Sequence, residues 1–445
     1  MLGQLGVVSG TALDVVLARR LQKGDHEGHL RRAIAAFPQG DVAREVMEDY
    51  FVPDGKTPDE PFRGLSLLSL ESSMKRVGLI VLASFVEVFL AKEGHSGIVG
   101  INLLEKIQLP TLPVLFGAML AGVDYVLMGA GIPRSIPSIL DSMAQGKDVA
   151  LKLDVAGETK GDEFQSTFRP SEFCQGEVPS LKRPRFVPIV SSATLAMTLA
   201  RKSTGAIDGF VVEEAVAGGH NAPPRGPMQL SEKGEPIYGE RDTPEIEKIR
   251  ALGLPFWLAG SYATPERLAY ARRLGAAGVQ LGTPFAFCRE SGIDADLKEK
   301  VVQKSCEGTL ELFTDPKASP TGFPFKVLQM EGSISETEVS EKRTRICDLG
   351  YLRQAYCKPD GSIGYRCPSE PSKVFLRKGG EPEEMVGRIC VCNGLLSTVG
   401  LGQQNEVTYE PPLLTAGNDV KHLGRFVAEG ETSYSAADVI SYVLS

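Results

Sequence analysis

The chain has 445 residues, 42% of them hydrophobic and 23% charged, with 48 glycines and a net charge of -8 from 48 basic and 56 acidic side chains. That length exceeds what one hydrophobic core usually supports, and the composition excludes disorder, collagen and coiled coil. An acidic chain without a basic run lacks the footprint of a nucleic-acid binder. The most apolar stretch, residues 77–90, is too short to span a bilayer and carries Glu87, so no membrane segment is expected. Residues 1–9 show neither a basic n-region nor a long apolar h-region, which predicts a cytoplasmic protein whose eight cysteines stay reduced.

From residue 1 to about 287, short apolar runs alternate with helical patterns, the signature of βαβ units and a parallel sheet. Strands are expected at residues 3–8, 79–83, 97–103, 125–128, 186–190, 209–212, 256–259 and 278–281. The first is followed by a helix with Val15, Val16, Ala18 and Leu21 on its apolar face, and the third by a helix over 110–120. Eight strands with intervening crossovers predict an α/β fold, a (β/α)8 TIM barrel over residues 1–290, with an open doubly wound sheet as the alternative. Two proline-bearing insertions, at about 39–70 and 150–185, read as loops or lids. Residues 291–445 form a mixed helical, loop-rich appendage: a charged helical stretch at 294–313, a cysteine-bearing region at 347–392, and a terminal helix at 433–444 with Ala437, Val439, Ile440 and Val443 on its apolar face.

In a parallel barrel the reactive groups belong on loops at the carboxyl ends of strands. After the strand at 209–212 comes Glu213-Glu214-Ala215-Val216-Ala217-Gly218-Gly219-His220. The paired glycines let the backbone approach a flat ligand, and the histidine has a side chain suited to acid/base work near neutrality. The other four histidines, His26, His29, His95 and His422, fall in stretches that read as solvated. The last two strands end in Ala259-Gly260-Ser261 and Leu281-Gly282-Thr283, where main-chain N–H groups can hold a phosphate. Residues 129–133 (GAGIP) fail as a dinucleotide fingerprint because Pro133 breaks the glycine pattern, and read as a ligand-facing turn; Lys152 and Asp154 read as an ion pair.

Together these residues resemble the FMN-dependent nitronate monooxygenase family, formerly 2-nitropropane dioxygenases, and the related flavin-type enoyl-acyl-carrier-protein reductases. The carriers are Ala217-Gly218-Gly219-His220, the GINLL run at 100–104 and VQLGTPF at 279–285. Farther on, GYRCP at 364–368 and RICVCNG at 388–394 resemble the PfaD-type reductase subunit of polyunsaturated-fatty-acid synthases. The resemblance implies FMN in the barrel mouth, with Gly6 beneath the flavin, Asn102 near its ring or ribityl chain, Gly218 and Gly219 lining it, and Ala259, Gly260, Ser261, Gly282 and Thr283 around the phosphate. His220 would be the acid/base residue. Two enzymatic readings follow: oxidation of alkyl nitronates with O2, or NAD(P)H-dependent reduction of an enoyl thioester with an acyl carrier protein as partner. A homo-oligomer is compatible with either. A flavin-free docking subunit is the non-enzymatic alternative. Cys347, Cys357, Cys367, Cys390 and Cys392 lack paired CxxC knuckles, so they read as ordinary thiols and no metal is expected.

Overall fold

The apolar runs become seven parallel strands: β1 (Gly6–Ser9), β2 (Val99–Leu104), β3 (Tyr125–Gly129), β4 (Arg185–Val190), β5 (Phe210–Glu213), β6 (Phe256–Ala259) and β7 (Gly278–Gln280). The computed structural model describes residues 3–159, 163–404 and 409–445. The strands pair in chain order from β1 to β7, and among the described residues no ladder joins the two edges, so the sheet is a parallel half-barrel. Leu127, Val187, Val211 and Ala259, one from each of four successive strands, pack together on one face of the sheet. The other face meets helices.

One expected strand is missing because residues 79–83 lie inside a helix. Leu13–Gln22 (α1) and Met74–Lys92 (α2) both precede β2, and Thr111–Leu120 (α3) follows it. A helix buried on nearly all sides shows no amphipathic period, so over five residues it cannot be told from a buried strand. Its length of 19 residues decides the matter. Ser73 caps it, the hydroxyl accepting from the Arg76 N–H, and α3 packs so closely that a Cβ on Gly117 would stand 2.1 Å from the Val81 carbonyl oxygen.

The insertions also hold regular structure. Gly40–Tyr50 is a helix, and Val149–Lys152 pairs antiparallel with Gln165–Phe168. The charged stretch expected at 294–313 is helical only over Ala295–Glu307, where Gly308 ends it in the left-handed conformation; Leu312–Asp315 then pairs with Phe325–Leu328. The terminal helix Ala436–Leu444 starts with a reciprocal cap between Ser435 and Asp438 and buries Val439 and Val443.

The last third of the chain is fastened to the first. Tyr351 donates its hydroxyl hydrogen bond to Asp14 at 2.5 Å, and Asp14 also pairs with Arg76 at 2.5 Å, all three being buried. Arg19 pairs with Asp348 and donates to the Leu401 carbonyl. Ala355 and Tyr356 add a parallel strand beside Val155 and Ala156. Leu349, Tyr351, Leu396 and Leu401 lie in the same apolar cluster as α1, α2 and α3, each such side chain contributing about 1.5–3 kcal/mol by leaving water. No helix among the described residues is long and apolar enough to cross a membrane.

Candidate active site

Strand register sets which side chains share the inner face. Asn102 stands beside Leu127, and Glu213 beside Ala259, so both point to the side where Leu127 and Ala259 pack. The Asn102 Oδ1 is buried without a hydrogen-bond partner, and so is the Ser261 Oγ just beyond β6. Ser261 holds a left-handed backbone, φ +56°, rare for a residue with a side chain. Burial pushes the Glu213 carboxyl up to about 8, which leaves it protonated, and thus a hydrogen-bond donor, at neutral pH. Next to it, Glu214 accepts from the Tyr262 hydroxyl at 2.6 Å.

The three glycine turns behave differently from one another. A Cβ on Gly218 would meet the Ala416 carbonyl carbon and the Gly417 nitrogen at 2.6 Å, so the close approach that Gly218 permits is made by the chain's own segment 415–418. That segment is held by hydrogen bonds from the Gly219 N–H to Thr415 Oγ1, from the Asn418 N–H to the Val216 carbonyl, and from the Gly417 N–H to Thr283 Oγ1. Gly219, with φ +76°, and Gly282 have open space where a Cβ would point. A Cβ on Gly260 would press on Val216 at 3.0 Å and Glu214 at 3.2 Å, so the turns after β5 and β6 touch. Among the described residues, the N–H groups of Gly260, Ser261, Gly282 and Thr283 meet no backbone carbonyl.

His220 leaves this group of turns and bonds to the segment beyond the sheet. Its Nε2 lies 2.7 Å from Ser319 Oγ, and its ring meets Phe325 edge-on with centroids 4.7 Å apart. Burial pulls its pKa down to about 4, so the ring is neutral at physiological pH.

Of the expected site residues, Asn102, Gly218, Gly219, His220, Ala259, Gly260, Ser261, Gly282 and Thr283 all lie at or beyond the carboxyl half of their strands or on the loops that follow. Gly6 does not. It opens β1 and pairs with Val99 at the amino end of β2, whereas Ser9, at the other end of β1, pairs with Asn102; three residues of strand, roughly 10 Å, separate it from that level. Lys152 pairs with Glu158, and Asp154 with Lys106, each at the surface. Residues the sequence reading passed over are Glu213, whose signal was a carboxylate ending a buried strand, and Thr415 and Gly417, which carry no motif.

Residues 175–321, about a third of the chain, match the family model described as nitronate monooxygenase; the match spans the turns after β5, β6 and β7, His220 and its partner Ser319. This third of the chain is similar to the nitronate monooxygenase family. No curated protein matches the chain as a relative. Solved structures similar to it include FabK from Thermotoga maritima, 17% identical over 82% of this chain and 80% of that one with a TM-score of 0.44. The nitroalkane oxidase from Streptomyces ansochromogenes is 13% identical over 82% and 84% with a TM-score of 0.41. The enoyl reductase domain of MlnA, from the macrolactin biosynthesis cluster of Bacillus amyloliquefaciens, is 13% identical over 82% and 83% with a TM-score of 0.45.

Proposed function

We propose that this protein is an FMN-dependent oxidoreductase that oxidises alkyl nitronates with O2. The observation that carries the reading is the contact between the glycine turns after β5 and β6, with the β7 turn joined to the first through Gly417 and the Ser261 Oγ buried without a partner, on the sheet face to which Asn102 with its own unpartnered Oδ1 also points. The residues present suit FMN. Free N–H groups at Gly260, Ser261, Gly282 and Thr283 would hold the phosphate, Ala259 would lie beside it, Asn102 would take a polar edge of the ring or ribityl chain, and Gly219 would line the flavin, the space at Gly218 being taken by segment 415–418. Bound there, the flavin supplies a two-electron acceptor and the reaction with O2.

The protein's own contribution is to position substrate and manage a proton. A pKa near 4 makes His220 a proton acceptor weaker by about 3 kcal/mol than an ordinary imidazole. A nitronate is already deprotonated and needs only a hydrogen bond from a neutral ring, whereas a neutral nitroalkane needs a base to remove its α proton. Nitronates are therefore the expected substrates, and neutral nitroalkanes slow ones. Ser319 fixes the ring and Phe325 shields it.

A second reading is NAD(P)H-dependent reduction of an enoyl thioester, with an acyl carrier protein as partner. It is favoured by the walls around His220, since Ser319, Phe323 and Phe325 belong to the region beyond residue 290. The deciding experiment follows the anaerobic flavin spectrum while an alkyl nitronate or NAD(P)H is added. Bleaching by nitronate supports the first reading, bleaching by the nicotinamide alone the second, and a colourless protein that takes up no FMN removes both. His220→Ala is expected to keep bound FMN and lose turnover; unchanged turnover would take His220 out of the chemistry.

A further inference from the structure

Segment 413–418 runs between two bodies of the protein and alternates between them. Leu414 and Ala416 are buried in the apolar cluster of the C-terminal helices, with Val301, Leu328, Phe426 and Val439. Leu413 packs on the other side, with Phe325 and Val327. A period of two is the mark of extended chain, and it turns Thr415 and Gly417 away from the helical cluster. Both meet glycine turns of the sheet. The segment is seated on the strand Phe325–Leu328 by a hydrogen bond from the Leu328 N–H to the Leu414 carbonyl.

The Thr415 hydroxyl closes a ring of hydrogen bonds. It accepts from the Gly219 N–H at 3.0 Å and donates to the Lys326 carbonyl at 2.6 Å, while the Lys326 N–H donates to the Gly219 carbonyl at 3.0 Å. The peptide groups on both sides of Gly219 are therefore pinned. Glycine explores both signs of φ about equally, so its φ of +76°, and with it the direction in which His220 leaves the turn, is set by these outside bonds.

Two residues on, the Gly417 N–H donates to Thr283 Oγ1 at 2.8 Å and the Asn418 N–H to the Val216 carbonyl at 2.9 Å. The turn after β7 is thereby joined to the turn after β5. The first bond also orients a hydroxyl. Thr283 Oγ1 has one lone pair taken by an amide, and among the described residues its own proton meets no acceptor, which leaves that proton to be donated to an anion.

We propose, resting on the flavin reading above, that Thr415 and Gly417 are positioning residues of the cofactor site. Thr415 holds the turn at Gly219 that lines the flavin, and Gly417 holds the Thr283 hydroxyl as a donor to the phosphate of FMN. The two turns are kept in register by a segment that lies 196 residues beyond Gly219 and 134 beyond Thr283. The barrel strands alone do not complete the site.

The test titrates FMN, and separately riboflavin, which lacks the phosphate, into flavin-free full-length protein and follows flavin fluorescence. Thr415→Val keeps the shape and removes the hydroxyl, and is expected to lose about tenfold in affinity for both flavins. Thr415→Ser should restore the wild-type affinity. A Cβ on Gly417 would stand 3.0 Å from the Gly218 nitrogen and the Val216 carbonyl oxygen and 3.2 Å from Thr283 Oγ1, so Gly417→Ala should shift the amide off Thr283 and weaken FMN more than riboflavin. A folded Thr415→Val protein with wild-type affinity for FMN overturns the role of Thr415. If the valine variant does not fold, Gly417→Ala decides, and an unchanged preference for FMN over riboflavin overturns the inference. Wild-type protein that binds neither flavin removes the flavin reading itself, whereas wild type that binds FMN beside variants that match it removes only the positioning role.

Discussion

Gly218→Ala separates a glycine kept for a ligand from one kept for the chain's own packing. The added methyl carbon would stand 2.6 Å from the Ala416 carbonyl carbon and the Gly417 nitrogen. Both are backbone atoms and cannot rotate away, so segment 415–418 has to retreat. Overpacking of this kind costs about 1–3 kcal/mol. Retreat also stretches the three hydrogen bonds that seat the segment, from Gly219 to Thr415, Asn418 to Val216 and Gly417 to Thr283, each worth about 1 kcal/mol. The expected loss is about 4–6 kcal/mol. Gly219→Ala is the control, because its Cβ would meet open space and only the left-handed backbone is penalised, by about 1 kcal/mol. The assay is urea unfolding of flavin-free protein, so that no ligand contributes. Equal stability of flavin-free wild type and Gly218→Ala would refute the reasoning and return Gly218 to the ligand.

Glu213→Gln should change how stability depends on pH. The folded Glu213 titrates at about 8, above its ordinary value of 4.5, so its contribution is full below about pH 4.5 and is lost as pH rises through 8. His220 acts oppositely: with its value lowered from 6.5 to about 4, it favours the folded state above pH 6.5 and loses that contribution as pH falls through 4. The two slopes oppose each other between pH 4.5 and 6.5, and Glu213 alone acts from there to 8. Stability measured by denaturant titration across pH 6.5–8 should decline in wild type and flatten in Glu213→Gln, and identical slopes would contradict the assignment. Gly117→Ala places a Cβ 2.1 Å from the Val81 carbonyl oxygen and should cost about 3 kcal/mol by forcing α2 and α3 apart. An unchanged thermal transition would mean that these helices do not meet as described.

Local signals read well where one face of an element was buried and the other was not. Seven of the eight expected strands formed, and the terminal helix, expected over 433–444, runs over Ala436–Leu444 behind a Ser435 cap. Failure came where burial was complete: α2 is apolar nearly all round, so residues 79–83 offered no period to separate helix from strand. The loops after β5, β6 and β7 were legible as turns because glycine marks the end of a strand. The reason for Gly218 was not, since it is met by residues 416–417, nearly 200 positions away and without a motif. Gly6 was misplaced because a glycine beside a strand does not say which end of the sheet it occupies.

The Asp14–Tyr351 bond spans 337 residues, and Arg19 reaches Asp348 across 329 and Leu401 across 382. A ribosome adding roughly 5–20 residues per second needs on the order of 20–70 s to cover such a distance. Throughout that interval α1 exists with an arginine destined for burial and no carboxylate to meet it. The N-terminal helices of the nascent chain cannot reach their final packing until the last hundred residues emerge.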